Sequence, residues 1–292
     1  MAAAPVPDRN RVGARLRRWK QVALATWREA GEDNVSLIAA GVAFYAFLAF
    51  VPLLTAFVLS YGLIAEPASV VRHMQTLTGI MPHNAAEIIG GQLSDMVEAR
   101  GAATGFALLL ALGIALYGAS KGAGSIILAL NIVFEVGEAR GLVRRTLVAL
   151  AMTAGAVLAM FLAVLAIAAM NFLETLMPDL AGYGRLLLQA AFFLLAGGAV
   201  VVLLAVVYRY GPNRPDAAWR WITPGSTLST LVWLAATWGF GAYVANFGDY
   251  NATYGSLGAV IVFLTWLYLT AYIVLLGAEL NAVLERRERA RP

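Results

Sequence analysis

The chain reads as an all-α, polytopic membrane protein, with six transmembrane helices, interfacial amphipathic helices beside them, and both termini on the cytoplasmic side. Three observations predict this. Of 292 residues, 61% are hydrophobic and 13% are charged, whereas a soluble domain carries about 25% charged residues. So much apolar surface does not fit inside one soluble core of this size. Apolar runs long enough to span a bilayer recur along the chain, and Lys and Arg collect in alternate connections between them.

Residues 1–35 form a basic N-terminal segment. The first apolar run begins near Ser36, too late and too long for a signal-peptide core, so it is expected to stay as an anchor. Within 9–30, Val12, Leu16, Trp19, Ala23 and Trp27 recur at helical spacing, and Arg11, Arg15, Arg17, Arg18 and Lys20 fill much of the rest. This pattern suits a helix lying on an anionic membrane surface, with membrane lipid as its partner. The competing reading is a solvated basic tail.

The membrane domain is expected over 36–284. Span one covers 36–64, with Pro52 removing a backbone donor in its middle, so a kink is expected there. Residues 67–100 carry His73, His83, Glu87, Asp95 and Glu98 among spaced apolar residues. They read as two amphipathic helices over the outer mouth, the second capped by Asn84 with Glu87 as capping-box partner. Span two covers 102–121, with a bend expected within Gly118–Gly124 and an interfacial or re-entrant segment to Val136. Spans three to six cover 147–172, 186–208, 222–247 and 256–284. Thr223 is placed as N-cap of span five, with Pro224 at the first helical position. A basic tail, 285–292, follows.

Orientation follows from the connections. Arg9 to Arg28, then Arg140, Arg144 and Arg145, then Arg209, Arg214 and Arg220, then Arg286 to Arg291 alternate in side as six spans require. The opposite connections hold only Arg72, Arg100 and Arg185. All four basic groups therefore face the cytoplasm, and one span more or fewer would break the agreement.

Catalytic signatures are few. The chain has no cysteine, which excludes a disulfide framework, a Cys-rich zinc site and a thiol nucleophile. Gly118-Ala119-Ser120-Lys121-Gly122 fits the letters of a nucleophile elbow, but that motif requires a strand-to-helix turn; small residues for close helix packing account for the same letters. No P-loop, HExxH or complete GxGxxG is present, and no metal or cofactor is expected. Asn251-Ala252-Thr253 matches a glycosylation sequon, but the Ala- and Arg-rich composition looks bacterial, so no glycan is expected.

Polar residues at membrane depth are costly and so informative. Lys121 and Glu279 should lie at similar depth near the cytoplasmic boundary, which raises a pairing between them; the alternative is that each reaches the interface separately. The connection 246–255, with Asp249 and Asn251, reads as a turn plus an aromatic belt before it reads as a binding site. Gly101/Gly105 and Gly118/Gly122 permit close helix contact within or between protomers, which leaves a homo-oligomer open.

Several blocks resemble a known family. AAGVAFYAFLAFVPLL at 39–54, YGASKGAGSIILALNIVF at 117–134, YRYGPNRPDAAWRWITPG at 208–225 and ANFGDYNATYGSLGAVIVFLTWLYLTAYIVLLGAELNAVL at 245–284 are similar to the YihY/BrkB family of bacterial inner-membrane proteins, sometimes labelled ribonuclease BN-like. The resemblance covers 36–284 and implies six spans and an inner-membrane location. It brings no established catalytic residue set. Family members have been linked to envelope lipid handling and serum resistance.

The nuclease label finds no support in these residues, because a metal-dependent nuclease needs a His/Asp/Glu cluster on one aqueous side, and both histidines are expected outside. No nucleic acid partner is expected. The leading expectation is a transporter or flippase-like protein for an envelope lipid or other amphipathic molecule. Pro52, Lys121, Asn131, Asp249, Asn251 and Glu279 are its substrate-path or structural-polar candidates. The alternative is a non-transporting scaffold or envelope assembly factor.

Overall fold

The computed structural model describes residues 9–64, 105–155, 158, 183–214, 222–245 and 256–290, and every regular element among them is helical. The outer-face segment 67–100 and the candidates Asp249 and Asn251 lie outside the described residues.

Helices α1 (Arg9–Glu32) and α2 (Val35–Ile64) meet at a 65° break. Its cause is local. Asn34 adopts φ 53°, in the left-handed region that asparagine tolerates better than most residues. The Asp33 N–H donates to Glu29 O at 2.8 Å and the Asn34 N–H to Gly31 O at 3.2 Å, closing the last turn of α1. Helix α2 then continues unbroken through Pro52.

Helix α3 (Gly105–Val133) has 29 residues and is therefore about 44 Å long. Helix α3 runs as one helix through Gly118–Gly124, the stretch where a bend is expected, and on to Val133. The reason is packing. Gly122 faces α2, where a β-carbon would sit 3.6 Å from Ala49 Cβ, so these small residues seat one helix on another. The helix ends in a Schellman motif, with Glu135 N–H on Ile132 O at 2.8 Å and Val136 N–H on Asn131 O at 2.9 Å. Glu135 takes the left-handed position usually filled by glycine, at φ 52°.

Residues 142–155 form α4, which begins before the expected 147. Helix α5 is Tyr183–Tyr210, α6 Pro224–Ala245 and α7 Ser256–Arg289. The start of α6 is as the sequence predicts. Thr223 Oγ1 accepts from Ser226 N–H at 3.0 Å and Ser226 Oγ accepts from Thr223 N–H at 3.1 Å, a reciprocal cap with Ser in place of Glu. The tail does not leave the fold at 285, because α7 runs on to Arg289.

Helix α7 is central, packing on α1, α2, α3 and α6, while α2 lies along α3. The core joins Val35, Ala39 and Val42 to Leu130 and Val133, Leu204 and Tyr208, and Leu275, Ala278 and Ala282. On the outside, Leu194 is 76% exposed and Trp238 81%, with Leu187, Leu195 and Leu231 also exposed. A surface this apolar belongs against hydrocarbon. Among the described residues, Ala190–Tyr210 and Val260–Arg289 are long and apolar enough to cross a membrane, and the bent α1–α2 pair, if counted as one span, gives a third.

Candidate functional site, a buried polar layer at one end of the bundle

The ends of α1, α3, α5 and α7 and the starts of α2 and α6 meet at one end of the bundle. Their polar residues form a layer that the apolar parts of the helices do not foreshadow.

Its first part links α3 to α5. Asn131, at 3% exposure, donates from Nδ2 to Glu138 Oε2 at 2.9 Å and accepts at Oδ1 from the Asn213 N–H at 2.7 Å. Glu138 is held in a fork by Arg140, with Nη2 on Oε2 and Nε on Oε1 both at 2.7 Å. Arg140 also donates to Gly211 O at 2.9 Å and Tyr210 O at 3.3 Å, capping the exposed carbonyls that end α5. The Arg140 hydrogen bonds hold the Glu138 carboxyl down to about 2, against the opposing effect of burial.

The second part links α5 to α7. Arg214 donates to Glu285 Oε2 at 2.6 Å and to Tyr208 O at 2.7 Å, and its guanidinium lies 3.6 Å from the Phe134 ring centroid. Burial lowers the Arg214 pKa, and the charge of Glu285 opposes that shift. Tyr208 donates to Val274 O at 2.7 Å and lies 3.1 Å from Ser229 Oγ. On α6, the Gly225 N–H donates to Asn281 Oδ1 at 2.8 Å, and Asn281 Nδ2 donates to Thr223 Oγ1 at 3.0 Å.

The third part links α1 to α7. Val22 is buried against Leu280 and Val283. Arg286 pairs with Glu29 at 3.0 Å and also with Glu135, while Arg287 donates to Gln21 O at 3.1 Å. Glu279, at 0% exposure, lies beside Asp33.

This placement sorts the sequence candidates. Asn131 and Glu279 belong to the layer. Pro52 lies in α2. Lys121 is not in the layer: its side chain is exposed, with the ammonium 5.2 Å from the Tyr117 ring centroid. It forms no ion pair with Glu279. Ala123, Ile127 and Leu130 occupy the buried face of α3 and turn Lys121 outward, whereas Glu279 faces α1. Ser120 lies in mid-helix, so the elbow geometry is not formed.

Of the expected apolar stripe of α1, Trp19, Ala23 and Trp27 face outward. Trp19 and Trp27 are exposed, together with Arg17, Arg18 and Lys20, and the face packed on α7 is Val22, Thr26 and Ala30. Reading the sequence missed Asp33, Glu138, Arg140, Asn213, Arg214 and Glu285 as partners. For Asn213 and Arg214 the available signal was the run Gly211-Pro212-Asn213-Arg214 just past the end of α5.

Comparison with known proteins completes the picture. A family model described as virulence factor BrkB matches residues 26–292. A ribonuclease-like protein of Bacillus subtilis, YfkH, is 28% identical over 236 residues, covering 74% of this chain and 84% of the relative. A UPF0761 membrane protein of Stenotrophomonas maltophilia is 31% identical over 265 residues, covering 88% of this chain and 59% of the relative. One from Xanthomonas campestris is 30% identical over 262 residues, covering 87% of this chain and 58% of that protein. The chain thus spans under two thirds of the length of these UPF0761 relatives. No solved structure matches it. With apolar exposed helices, a buried polar layer at one end and a family match from residue 26 onward, the chain belongs to the BrkB family of membrane proteins.

Proposed function

We propose that this protein is a six-span inner-membrane transporter or flippase-like protein for an envelope lipid or another amphipathic molecule. In this reading both termini are cytoplasmic, 36–284 is the membrane domain, and 1–35 and 285–292 lie on the cytoplasmic face. The observation that carries it is the set of buried polar side chains, including Asn131, Ser229, Thr230, Glu279 and Asn281, on helices that are otherwise apolar. Such groups are costly at membrane depth and commonly line paths for polar cargo. Helix α1 fits beside them, its exposed Trp19 and Trp27 suited to the acyl boundary and Arg17, Arg18 and Lys20 to anionic headgroups. The ribonuclease-like wording stays with the Bacillus relative, and this chain is read as non-enzymatic.

Reconstitution tests the reading. Proteoliposomes holding a fluorescent phospholipid should exchange it between leaflets faster than empty vesicles. Equal rates would remove transport of that lipid class.

A second reading has its own support. In the Asn131–Glu138–Arg140–Asn213 network every named side chain is hydrogen-bonded across elements, as a closed structural joint would be. A non-transporting scaffold or assembly factor would then co-purify with one partner in fixed stoichiometry.

A further inference from the structure

Among the described residues of the polar layer, Glu279 stands out because both of its carboxylate oxygens are buried without a hydrogen-bond partner. It is fully buried. Asp33, at the turn between α1 and α2, lies beside Glu279, and its Oδ2 is likewise buried without a hydrogen-bond partner. Two ionised carboxylates can only accept, so neither can satisfy the other. The structure thus sets two carboxyls side by side with buried oxygens that lack a donor.

The surrounding charges do not supply the missing partner. From α1 and its turn, Glu29 and Asp33 face Glu279, and both are acidic. Arg286, on Glu279's own helix, is the nearby cation, and it already holds Glu29 and Glu135, the latter reaching in from the end of α3. On the α5 side, Tyr208 donates to Val274 O and Arg214 is engaged by Glu285. Helix α2 offers Ser36, bonded to Tyr268, and α6 offers Thr223, Ser226 and Ser229, none of them charged. Among the described residues, Arg286 is thus the cation that acts on Glu279, and its ion pairs go to Glu29 and Glu135.

We propose that Asp33 and Glu279 together bind one proton, as a carboxylic acid donating to a carboxylate across the break between α1 and α2. One proton, taken from water, adds a donor between the two acceptors and removes one negative charge. No group is oxidised or reduced. The pair joins the 65° turn to α7, so its proton fastens α1 to the bundle, and its loss sets two carboxylates against each other there. The proposal does not rest on transport, since a scaffold can hold the same proton.

Infrared spectroscopy of the purified full chain in lipid nanodiscs at neutral pH tests it. The wild type should show the C=O stretch of a buried carboxylic acid, shifted in D2O. The band should be lost in Glu279→Gln and in Asp33→Asn, because in each an amide N–H replaces the proton as donor. Absence of the band in the wild type would overturn the proposal, and that measurement needs no variant to fold. A band that survives both substitutions would also overturn it. So would a wild type without the band whose Tm rises with sodium relative to choline at equal ionic strength, which would assign the site to a metal cation. A failed lipid-exchange assay leaves the band unchanged, so the two readings fail separately.

Discussion

Gly225 and Gly277 bring the backbones of α6 and α7 into direct contact. A β-carbon built on Gly225 would fall on the Gly277 carbonyl oxygen, and one on Gly277 would fall on Ser229 Oγ, with Tyr208 Oη at 2.8 Å. Lipid tails are as apolar as leucine, so helices in a bilayer associate through such close approaches rather than through hydrophobic burial. Gly277→Ala and Gly225→Ala should each destabilise the protein by about 1–3 kcal/mol, as overpacked sites do. Gly239, on the exposed face of the same α6 with nothing within 4 Å, is the control. Gly239→Ala should be neutral or stabilising by up to about 1 kcal/mol. Thermal melts in detergent separate the two outcomes, and equal shifts at all three sites would refute the packing account.

The Glu138–Arg140 pair makes a pH prediction. The folded Glu138 carboxyl titrates near 2 rather than at its ordinary 4.5. A lowered carboxyl stabilises the fold above its unfolded value and loses that contribution as pH falls through the folded one. Stability from this pair should therefore be complete above pH 4.5 and decline between there and about 2. Glu138→Gln should flatten that part of the profile. It should also cost on the order of 3 kcal/mol at neutral pH, because Arg140 is left buried with a neutral partner.

Arg214 uses its guanidinium in three directions at once, toward Glu285, Tyr208 O and the Phe134 ring. A lysine ammonium is a point charge without the planar fork. Arg214→Lys should keep the charge yet lose about 1–3 kcal/mol through the unmet Tyr208 carbonyl. A melt indistinguishable from wild type would show that charge alone suffices.

The absence of native cysteine makes topology testable by single-cysteine labelling. In intact cells, a membrane-impermeant maleimide should label Asp249→Cys at once. It should reach Ala290→Cys and Ala14→Cys only after permeabilisation. Labelling of either terminus in intact cells would overturn the proposed topology, in which both termini are cytoplasmic.

Much of the fold was legible because it rests on local rules. The apolar runs locate α2, α5, α6 and α7 to within a few residues, and Thr223-Pro224 with Ser226 reads directly as a helix start. Asn131 and Glu279 stood out because a polar letter in an apolar run is conspicuous. Lys121 stood out equally and proved to face outward. Sequence spacing gives depth along a helix but fixes the facing partner only when the neighbouring helix is known. The small residues at 118–124 carry a role that spacing alone does not reveal: at Gly122 the lack of a side chain lets α2 approach α3.

By itself the sequence determined that the chain is helical, that its exterior is apolar, where most helices lie and which residues are costly to bury. Each of these follows from composition and short-range periodicity. Only the tertiary structure decided which polar residues meet. Arg140 caps α5 across 71 residues, Arg214 reaches Glu285 across 71, and Arg286 reaches Glu29 across 257. Asp33 comes to rest beside Glu279 because α1 folds back onto the end of α7. No local rule carries those separations. They are set by which helix faces pack, and so the polar layer exists only once the bundle has closed.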